Sequence, residues 1–160
     1  MDKDRYAMEI INNILSGQGG RLFLELRDKQ SLAYTVTSNI ILGIETGLFT
    51  TYIGTEPKKT HQAIDSMFKE LELIRTTAVS DDELDRAKNY IVGNQDIENQ
   101  KNGAIAMQMA LNELYGMGIK EWYVYAQNIR AVTKNDILRV AKKYIDLKHH
   151  VMSIVGPKDA

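Results

Sequence analysis

The stretch Gly20-Arg21-Leu22-Phe23-Leu24-Glu25-Leu26-Arg27-Asp28-Lys29-Gln30-Ser31-Leu32-Ala33-Tyr34 decides the fold, because its periodicity changes part-way along. Its first half has helical spacing, with Leu22, Phe23 and Leu26 on one side of a helix. From position 34 to position 41 the residues are mostly β-branched or aromatic, which is typical of a strand. The pattern therefore predicts a short helix that turns directly into a strand.

Two long polar side chains lie at this predicted helix-to-strand junction. Arg27 falls in the last helical turn and Tyr34 near the start of the strand. Side chains placed in this way can point to the same side of a domain. On pattern alone two interpretations stay open, and the structural one is favoured: Arg27 complements the negative end of the helix and Tyr34 is a half-buried strand residue. The other interpretation is a functional pair.

The remaining pattern predicts an α+β domain. Apolar residues at helical spacing predict a first helix over 4–15, and a turn near position 45 leads into a second strand over 48–55, which forms an antiparallel hairpin with the first. A helix after Pro57 presents an apolar stripe to a sheet, and Ser80 and Glu83 form a capping box that opens a long helix. Apolar periodicity predicts helices near 104–114 and around Trp122, and Thr133 caps the last one.

A closing strand is predicted over 151–155, where apolar residues run almost without interruption. The fold class expected from these elements is an antiparallel sheet with the helices packed mainly on one face. No linker or short-period repeat divides the chain, and 160 residues suit a single domain over 1–160.

The composition excludes several classes of function. Apolar residues make up 44% and charged residues 26% of the chain, which are ordinary values for a globular protein. A formal net charge of −1 gives no electrostatic reason to expect nucleic acid or an anionic membrane surface as a partner. No apolar run reaches the roughly 20 residues that span a bilayer, and the charged first residues do not form a signal peptide. We expect a soluble domain, and the composition leaves its compartment open.

The sequence offers few residues that could form a hydrolytic or metal site. The chain has no cysteine, and its three histidines are His61, His149 and His150. His61 has no second histidine within reach along its helix, and two adjacent histidines on a strand point to opposite faces. We therefore predict no metal site in this chain. The carboxylates at 81, 82, 83 and 85 lie at a helix start, where the helix dipole favours negative charge, and are interpreted as structural.

Two further groups of residues are given structural interpretations. The amide side chains Asn94, Gln95, Asn99, Gln100 and Asn102 are interpreted as a solvated helix face in preference to a polar surface that meets a partner domain. The methionines Met107, Met109 and Met117 are predicted to fill the core.

Three stretches nevertheless carry a specific resemblance to a known family. They are the opening stretch 20–34, the run 46–55 (Thr46-Gly47-Leu48-Phe49-Thr50-Thr51-Tyr52-Ile53-Gly54-Thr55) and the run 80–88 (Ser80-Asp81-Asp82-Glu83-Leu84-Asp85-Arg86-Ala87-Lys88). Together they resemble the C-terminal domain of the pitrilysin/insulinase/mitochondrial processing peptidase family of zinc metallopeptidases. The likeness extends over roughly residues 6–156. In that family an Arg and a Tyr seven positions apart form a substrate-handling pair, and Arg27 and Tyr34 match both the residue types and the spacing.

The resemblance implies a division of labour between two related halves. The N-terminal half of such peptidases carries zinc and the general base on an H-x-x-E-H motif, and the C-terminal half closes over the peptide. By this likeness the chain is the substrate-binding, zinc-free half of a zinc-dependent metalloendopeptidase. Tyr34 is its catalytic residue, Arg27 and Tyr34 bind substrate, and zinc lies in the partner half. The implied partners are that zinc-bearing domain or subunit and a peptide substrate.

The chain lacks H-x-x-E-H, so we expect it to be inactive alone. Whether it is part of an active enzyme depends on the rest of the protein. The alternative is a catalytically inactive structural or scaffolding relative. One departure from the family pattern matters: family domains begin with a strand ahead of the first helix, whereas this sequence opens directly into that helix. The resemblance thus implies a fragment of a larger protein without its first strand. A sheet edge unpaired for that reason can drive self-association.

Overall fold

The computed structural model describes residues 2–43 and 45–157. In chain order its elements are helix α1 (Arg5–Leu15), a π-helix (Phe23–Lys29), strands β1 (Ala33–Leu42) and β2 (Gly47–Thr55), a 3₁₀ turn (Pro57–Lys59), and helices α2 (Thr60–Thr76), α3 (Asp81–Glu98), α4 (Asn102–Leu114), α5 (Lys120–Ala131) and α6 (Lys134–Tyr144). The elements predicted between residues 4 and 144 are confirmed. The helix that precedes β1 proves to be a π-helix.

The sheet is the antiparallel hairpin of β1 and β2. Thr35 pairs with Gly54, Thr37 with Tyr52, and Ile41 with Leu48. Val36 and Ser38 point into the core, where the helices pack, whereas Ile41, Leu48 and Tyr52 are exposed on the opposite side. This one-sided arrangement confirms the predicted α+β fold with helices mainly on one face.

Helix α1 is central to the hydrophobic core. Its apolar residues recur at helical spacing, so they form one continuous face, and Ile10, Ile11 and Leu15 are completely buried. Each such side chain contributes about 1.5–3 kcal/mol through removal from water. The neighbouring elements complete the same core with Leu22, Leu26, Ile74, Ile129, Ile137 and Val140.

Side-chain caps fix the starts of two helices. The Ser80 hydroxyl accepts from the Glu83 amide at 3.1 Å, and the Glu83 carboxylate accepts from the Ser80 amide at 3.0 Å. Thr133 and Asp136 repeat this reciprocal arrangement at the start of α6. Both predicted caps are confirmed, and each satisfies backbone N–H groups that a helix start leaves without partners.

Two predictions about packing need correction. The strand predicted over 151–155 is wrong: these residues form no strand, and Val151 and Val155 are 99% and 97% exposed. A strand needs a hydrogen-bonding neighbour, and within the described residues β1 and β2 pair only with each other. The apolar stripe of α2 was predicted to face a sheet, but α2 packs chiefly against α6, although it also contacts β2 and the π-helix.

No helix in the described ranges has both the length and the apolar content to cross a membrane.

Candidate functional site

The site is built on the turn that joins the π-helix to β1. Ser31 adopts a left-handed backbone conformation with φ of 52°. Its amide donates to the Arg27 carbonyl at 3.0 Å, and the Leu32 amide donates to the Leu26 carbonyl at 2.8 Å. These two bonds close the wide final turn of the helix, as a left-handed cap does at an ordinary helix end. The chain therefore reverses within three residues and returns beside the helix.

Neighbouring elements hold this turn in place. The Thr55 hydroxyl at the end of β2 donates to the Leu32 carbonyl at 2.5 Å. The Lys59 ammonium donates to the Ser31 carbonyl at 3.2 Å, and the Ser66 hydroxyl donates to the Gln30 side chain at 2.8 Å. The position of the last helical turn relative to the hairpin is fixed by these contacts.

A β-bulge sets the direction of Tyr34. Ala33 pairs with Thr55 and Thr35 pairs with Gly54, so Tyr34 is an extra residue with no partner in β2. Strict alternation would place Tyr34 on the buried face with Val36, but its side chain is 84% exposed. An extra residue re-aims the side chains beside it, as bulges next to functional sites do. Tyr34 therefore lies on the open side of the sheet.

Arg27 reaches the same place from the π-helix. Its guanidinium carbon lies 5.3 Å from the centre of the Tyr34 ring and 4.5 Å from the centre of the Phe23 ring. Cation–π attraction to both rings holds the guanidinium in position. Among the described residues the Arg27 side chain has no hydrogen-bond or salt-bridge partner, so its N–H donors are available.

Arg27 and Tyr34 line a shallow hollow of about 650 Å³ at the end of the hairpin. The structure thus brings together the two residues that the sequence singled out, Arg27 and Tyr34. The hollow also contains two residues that sequence reasoning missed, Tyr52 and Glu56. The register of the hairpin could have identified Tyr52. Because Thr35 pairs with Gly54, Tyr52 lies on the exposed face of the sheet.

The part of the chain that builds this site matches a known protein family. The family profile of the peptidase M16 inactive domain matches residues 1–91, which include α1, the π-helix and both strands. The chain belongs to this family. The match confirms the resemblance to the C-terminal, zinc-free domain of pitrilysin-type zinc metallopeptidases.

Individual relatives agree with this assignment. An uncharacterized zinc protease of Streptomyces coelicolor is 30% identical over 98% of this chain and 34% of its own length. A Bacillus subtilis protein named a probable inactive metalloprotease is 27% identical over 89% of this chain and 33% of its own length. This M16 domain therefore spans about a third of the length of these curated relatives.

Solved structures show the same fold. An inactive peptidase domain from Bordetella parapertussis superposes with a TM-score of 0.81 over 92% of this chain and 80% of its own, at 18% sequence identity. At that identity the likeness concerns the fold alone.

The histidines of this M16 domain do not form a zinc site. His149 pairs with Asp146, with 2.7 Å between the ring Nδ1 and a carboxylate oxygen, and the His150 ring packs edge-on against Phe68 at 5.0 Å between ring centres. In the described part of the chain no three His, Asp or Glu side chains are grouped so as to hold a metal ion. The donor set of a peptidase zinc is therefore not found in these residues.

Arg21 of the same motif has a structural role. Its Nε and Nη2 donate to the two oxygens of Glu83 at 2.7 and 3.0 Å. This guanidinium, aided by the Ser80 cap, holds the pKa of Glu83 at about 2. The bidentate pair joins the start of the π-helix to α3, so it links two of the stretches that carry the family likeness.

A second cleft, of about 560 Å³, lies between α1, α3, α4 and α5. Its walls include Asn94, Gln95, Asn99, Met107, Met117 and Trp122. The prediction of a merely solvated amide face is wrong for Asn99, whose side chain accepts from the Trp122 ring N–H at 3.3 Å. The core prediction is also wrong for Met107, which is 61% exposed, because α4 packs against little besides α5. At the floor, burial raises the pKa of Glu9, which accepts from the Tyr125 hydroxyl.

Proposed function

We propose that this chain is the substrate-binding, zinc-free half of a zinc-dependent metalloendopeptidase, and that Arg27 and Tyr34 act on the bound peptide. The observation that carries the proposal is the placement of an exposed Tyr34 against an unpaired Arg27 in an open hollow. The Streptomyces relative named a zinc protease, of which the matched part is about a third, supports it.

The two side chains suit different tasks in peptide-bond hydrolysis. Negative charge develops on the carbonyl oxygen as water adds to the peptide bond, and a preorganised hydroxyl stabilises that charge by donating a hydrogen bond. Tyr34 presents such a hydroxyl on the open side of the sheet. Arg27 presents a planar set of N–H donors, which bind a peptide carbonyl or carboxylate in a fixed orientation.

The remaining chemistry would come from a zinc-bearing domain or subunit with an H-x-x-E-H motif, where a bound zinc activates the attacking water. That partner and a peptide substrate are the partners proposed for this chain. Arg27 and Tyr34 lie on a solvent-exposed face, which leaves them accessible to a facing half.

The second candidate is an inactive structural relative, and one observation favours it: the Bacillus subtilis relative carries the name of an inactive metalloprotease. A scaffold has no chemical need for an unpaired arginine beside an exposed tyrosine, so the pair favours the peptidase. The presence or absence of H-x-x-E-H in the other half of the parent protein separates the two candidates.

Steady-state kinetics of the parent protein test the proposal. We expect Tyr34→Phe to lower kcat roughly 10²-fold with little change in KM, because it removes one transition-state hydrogen bond. Arg27→Ala should mainly raise KM, because a positioning contact is made in the ground and transition states alike. The control is Tyr90→Phe, at an exposed tyrosine on α3. Wild-type kinetics in Tyr34→Phe would contradict the proposal, provided that the melting temperature is unchanged.

A further inference from the structure

We propose that the cleft between α1, α3, α4 and α5 binds an alkylammonium group, on a free amine or on a lysine side chain, with Glu9 as its counter-ion. The cleft meets the sheet at Leu42, the last residue of β1, whereas Tyr34 lies near the first. The two ends of this strand lie roughly 30 Å apart. The site is therefore separate from the hollow at Arg27 and does not depend on the proposed function. Its volume of about 560 Å³ is within the range of small-molecule sites.

Glu9 is the carboxylate of the cleft that lacks a paired cation. Among the described residues its side chain accepts a hydrogen bond from the Tyr125 hydroxyl and forms no salt bridge. Burial raises its pKa, although the Tyr125 bond and the positive charge of Arg5 act in the opposite direction. The surroundings therefore stabilise the ionised carboxylate incompletely. A cation bound beside Glu9 would supply the interaction that replaces its lost hydration.

The other charges of the cleft are already paired. Arg5 is the one cation among the described residues that line it, and its guanidinium forms a salt bridge with Glu121, with side chains 9% and 12% exposed. Glu98 also lines the cleft and accepts from Lys101, which lies outside the lining, at 3.0 Å. Three carboxylates thus face one guanidinium in the lining. This excess of negative charge favours a cation over an anion as the ligand.

The uncharged walls suit an ammonium group on an alkyl chain. Tyr115, Trp122 and Tyr125 contribute aromatic rings to the lining, and a cation within about 6 Å of such a ring is attracted to its face. Met107 and Leu111, both on α4, contribute apolar side chains. Methionine adapts its shape to what it contacts, so this wall can pack against a flexible methylene chain.

Asn112 provides a separate indication that a ligand binds. Its residue is 1% exposed, and its Oδ1 accepts from the Gln108 side chain at 3.0 Å. Its Nδ2 donates to no residue in the described part of the chain, although Asn112 lines the cleft. Buried amide groups normally have hydrogen-bond partners. The carbonyl oxygen of a lysine residue would accept from Nδ2, which favours lysine in a polypeptide over a free amine.

Binding can be measured directly on this chain, because Trp122 is its only tryptophan and lines the cleft. The chain is titrated with pentylamine, with Nα-acetyl-lysine N-methylamide and with uncharged 1-pentanol while the tryptophan fluorescence is recorded. We expect a saturable change with both amines, and binding of 1-pentanol weaker by roughly tenfold or more, because the alcohol lacks the charge.

Two variants test the role of the carboxylate. Glu9→Gln keeps an acceptor for the Tyr125 hydroxyl but removes the charge, so it should weaken binding of both amines by roughly tenfold or more. Its melting temperature should be unchanged or higher, because a charge that burial disfavours is gone. Ala104→Lys places an ammonium on the α4 wall and should also weaken binding, by competition. The matched control is Glu113→Gln, at an exposed carboxylate on α4 outside the lining.

The outcomes decide the site and its ligand. Tighter binding of the lysine derivative than of pentylamine assigns the site to a lysine residue of a polypeptide, and the reverse order assigns it to a free amine. The site is overturned if neither amine gives a saturable change or if 1-pentanol binds equally well. Wild-type affinity in both Glu9→Gln and Ala104→Lys would also overturn it. None of these results depends on peptidase activity, so the proposed function is tested separately.

Discussion

Among single residues, Arg21 shows how one motif side chain can hold two distant elements together. Its guanidinium matches both oxygens of Glu83, and both side chains are largely shielded, at 18% and 21% exposed. Such a bidentate pair is worth more than an exposed ion pair, because solvent screens it less. Removal of Arg21 would also leave the Glu83 carboxylate half-buried with only the Ser80 cap as a partner.

This pair makes a specific contribution to stability against acid. The pKa of Glu83 is lowered from 4.5 to about 2, so the contribution is present at neutral pH and is lost as the pH falls through that interval. We expect Arg21→Met to lower the free energy of unfolding by about 1–2 kcal/mol near neutral pH. The difference from wild type should shrink toward about pH 3.

Urea unfolding over a series of pH values measures this effect. Lys101→Met is the control, since Lys101 and Glu98 form a pair whose side chains are 66% and 60% exposed and should contribute little at any pH. A stability loss in Arg21→Met that is the same at acidic and neutral pH would show that packing, and not the ion pair, explains it.

The site residues also mark the limit of prediction from sequence. Spacing and family likeness single out Arg27 and Tyr34, but neither reveals the bulge that exposes Tyr34. A bulge depends on hydrogen bonds with the partner strand, so one strand read alone does not encode it. The same limit explains why Tyr52 was missed: its place follows from the register of the hairpin, which the sequence gives only once both strands are aligned.

At the scale of secondary-structure elements, the left-handed Ser31 controls how the π-helix meets β1. A residue other than glycine with φ of 52° is strained by contact between its Cβ and the backbone. Helices that end in this conformation most often use glycine. The amide and carbonyl of Ser31 are both bonded, to Arg27 and Lys59, so the strain is held by the contacts around the turn.

We expect Ser31→Val to be less stable than Ser31→Gly by about 1–2 kcal/mol, because a β-branched residue is disfavoured in the left-handed region whereas glycine is not. Thermal or urea unfolding of the two variants and the wild type measures the difference. Equal stability of the Val and Gly variants would mean that the turn changes conformation readily, which would remove the structural basis for a fixed Arg27.

Helix prediction succeeded where caps and apolar stripes agreed, as for α3 and α6, because those signals are local. The strand predicted over 151–155 failed for the opposite reason. Its apolar composition is suited to a sheet, but a strand forms only where a neighbouring backbone offers hydrogen bonds. Such a neighbour is a property of the tertiary structure.

At the scale of the whole molecule, this apolar C-terminal segment and the two-stranded sheet remain exposed. Val151, Ile154 and Val155 are all more than half exposed, and β1 has β2 as its single partner among the described strands. Exposed apolar segments with unpaired backbone groups favour pairing with another chain. Helix α1 shields part of β1, because the Ser16 and Thr37 hydroxyls are bonded at 2.8 Å and Ser38 donates to the Asn12 carbonyl at 3.3 Å.

We therefore propose that the chain self-associates at high concentration through this segment. Small-angle scattering up to millimolar concentration should show a rising apparent mass, and Val155→Lys should reduce it, because a charge in an exposed apolar segment opposes its pairing with another chain. Ile97→Lys, at an exposed apolar position on α3, serves as the control. A strictly monomeric wild-type chain at those concentrations would contradict this proposal.

The central claim is that the catalytic chemistry is divided, with zinc and base in another half and Arg27 and Tyr34 in this one. The most direct measurement is peptide hydrolysis, with zinc content, for this chain and the rest of the parent protein produced separately and then mixed. We expect neither part alone to cleave peptides, the mixture to be active, and a mixture containing Tyr34→Phe to be slower by roughly 10²-fold. Stoichiometric zinc and chelator-sensitive proteolysis in this chain alone, or full activity of the other part without it, would contradict the account.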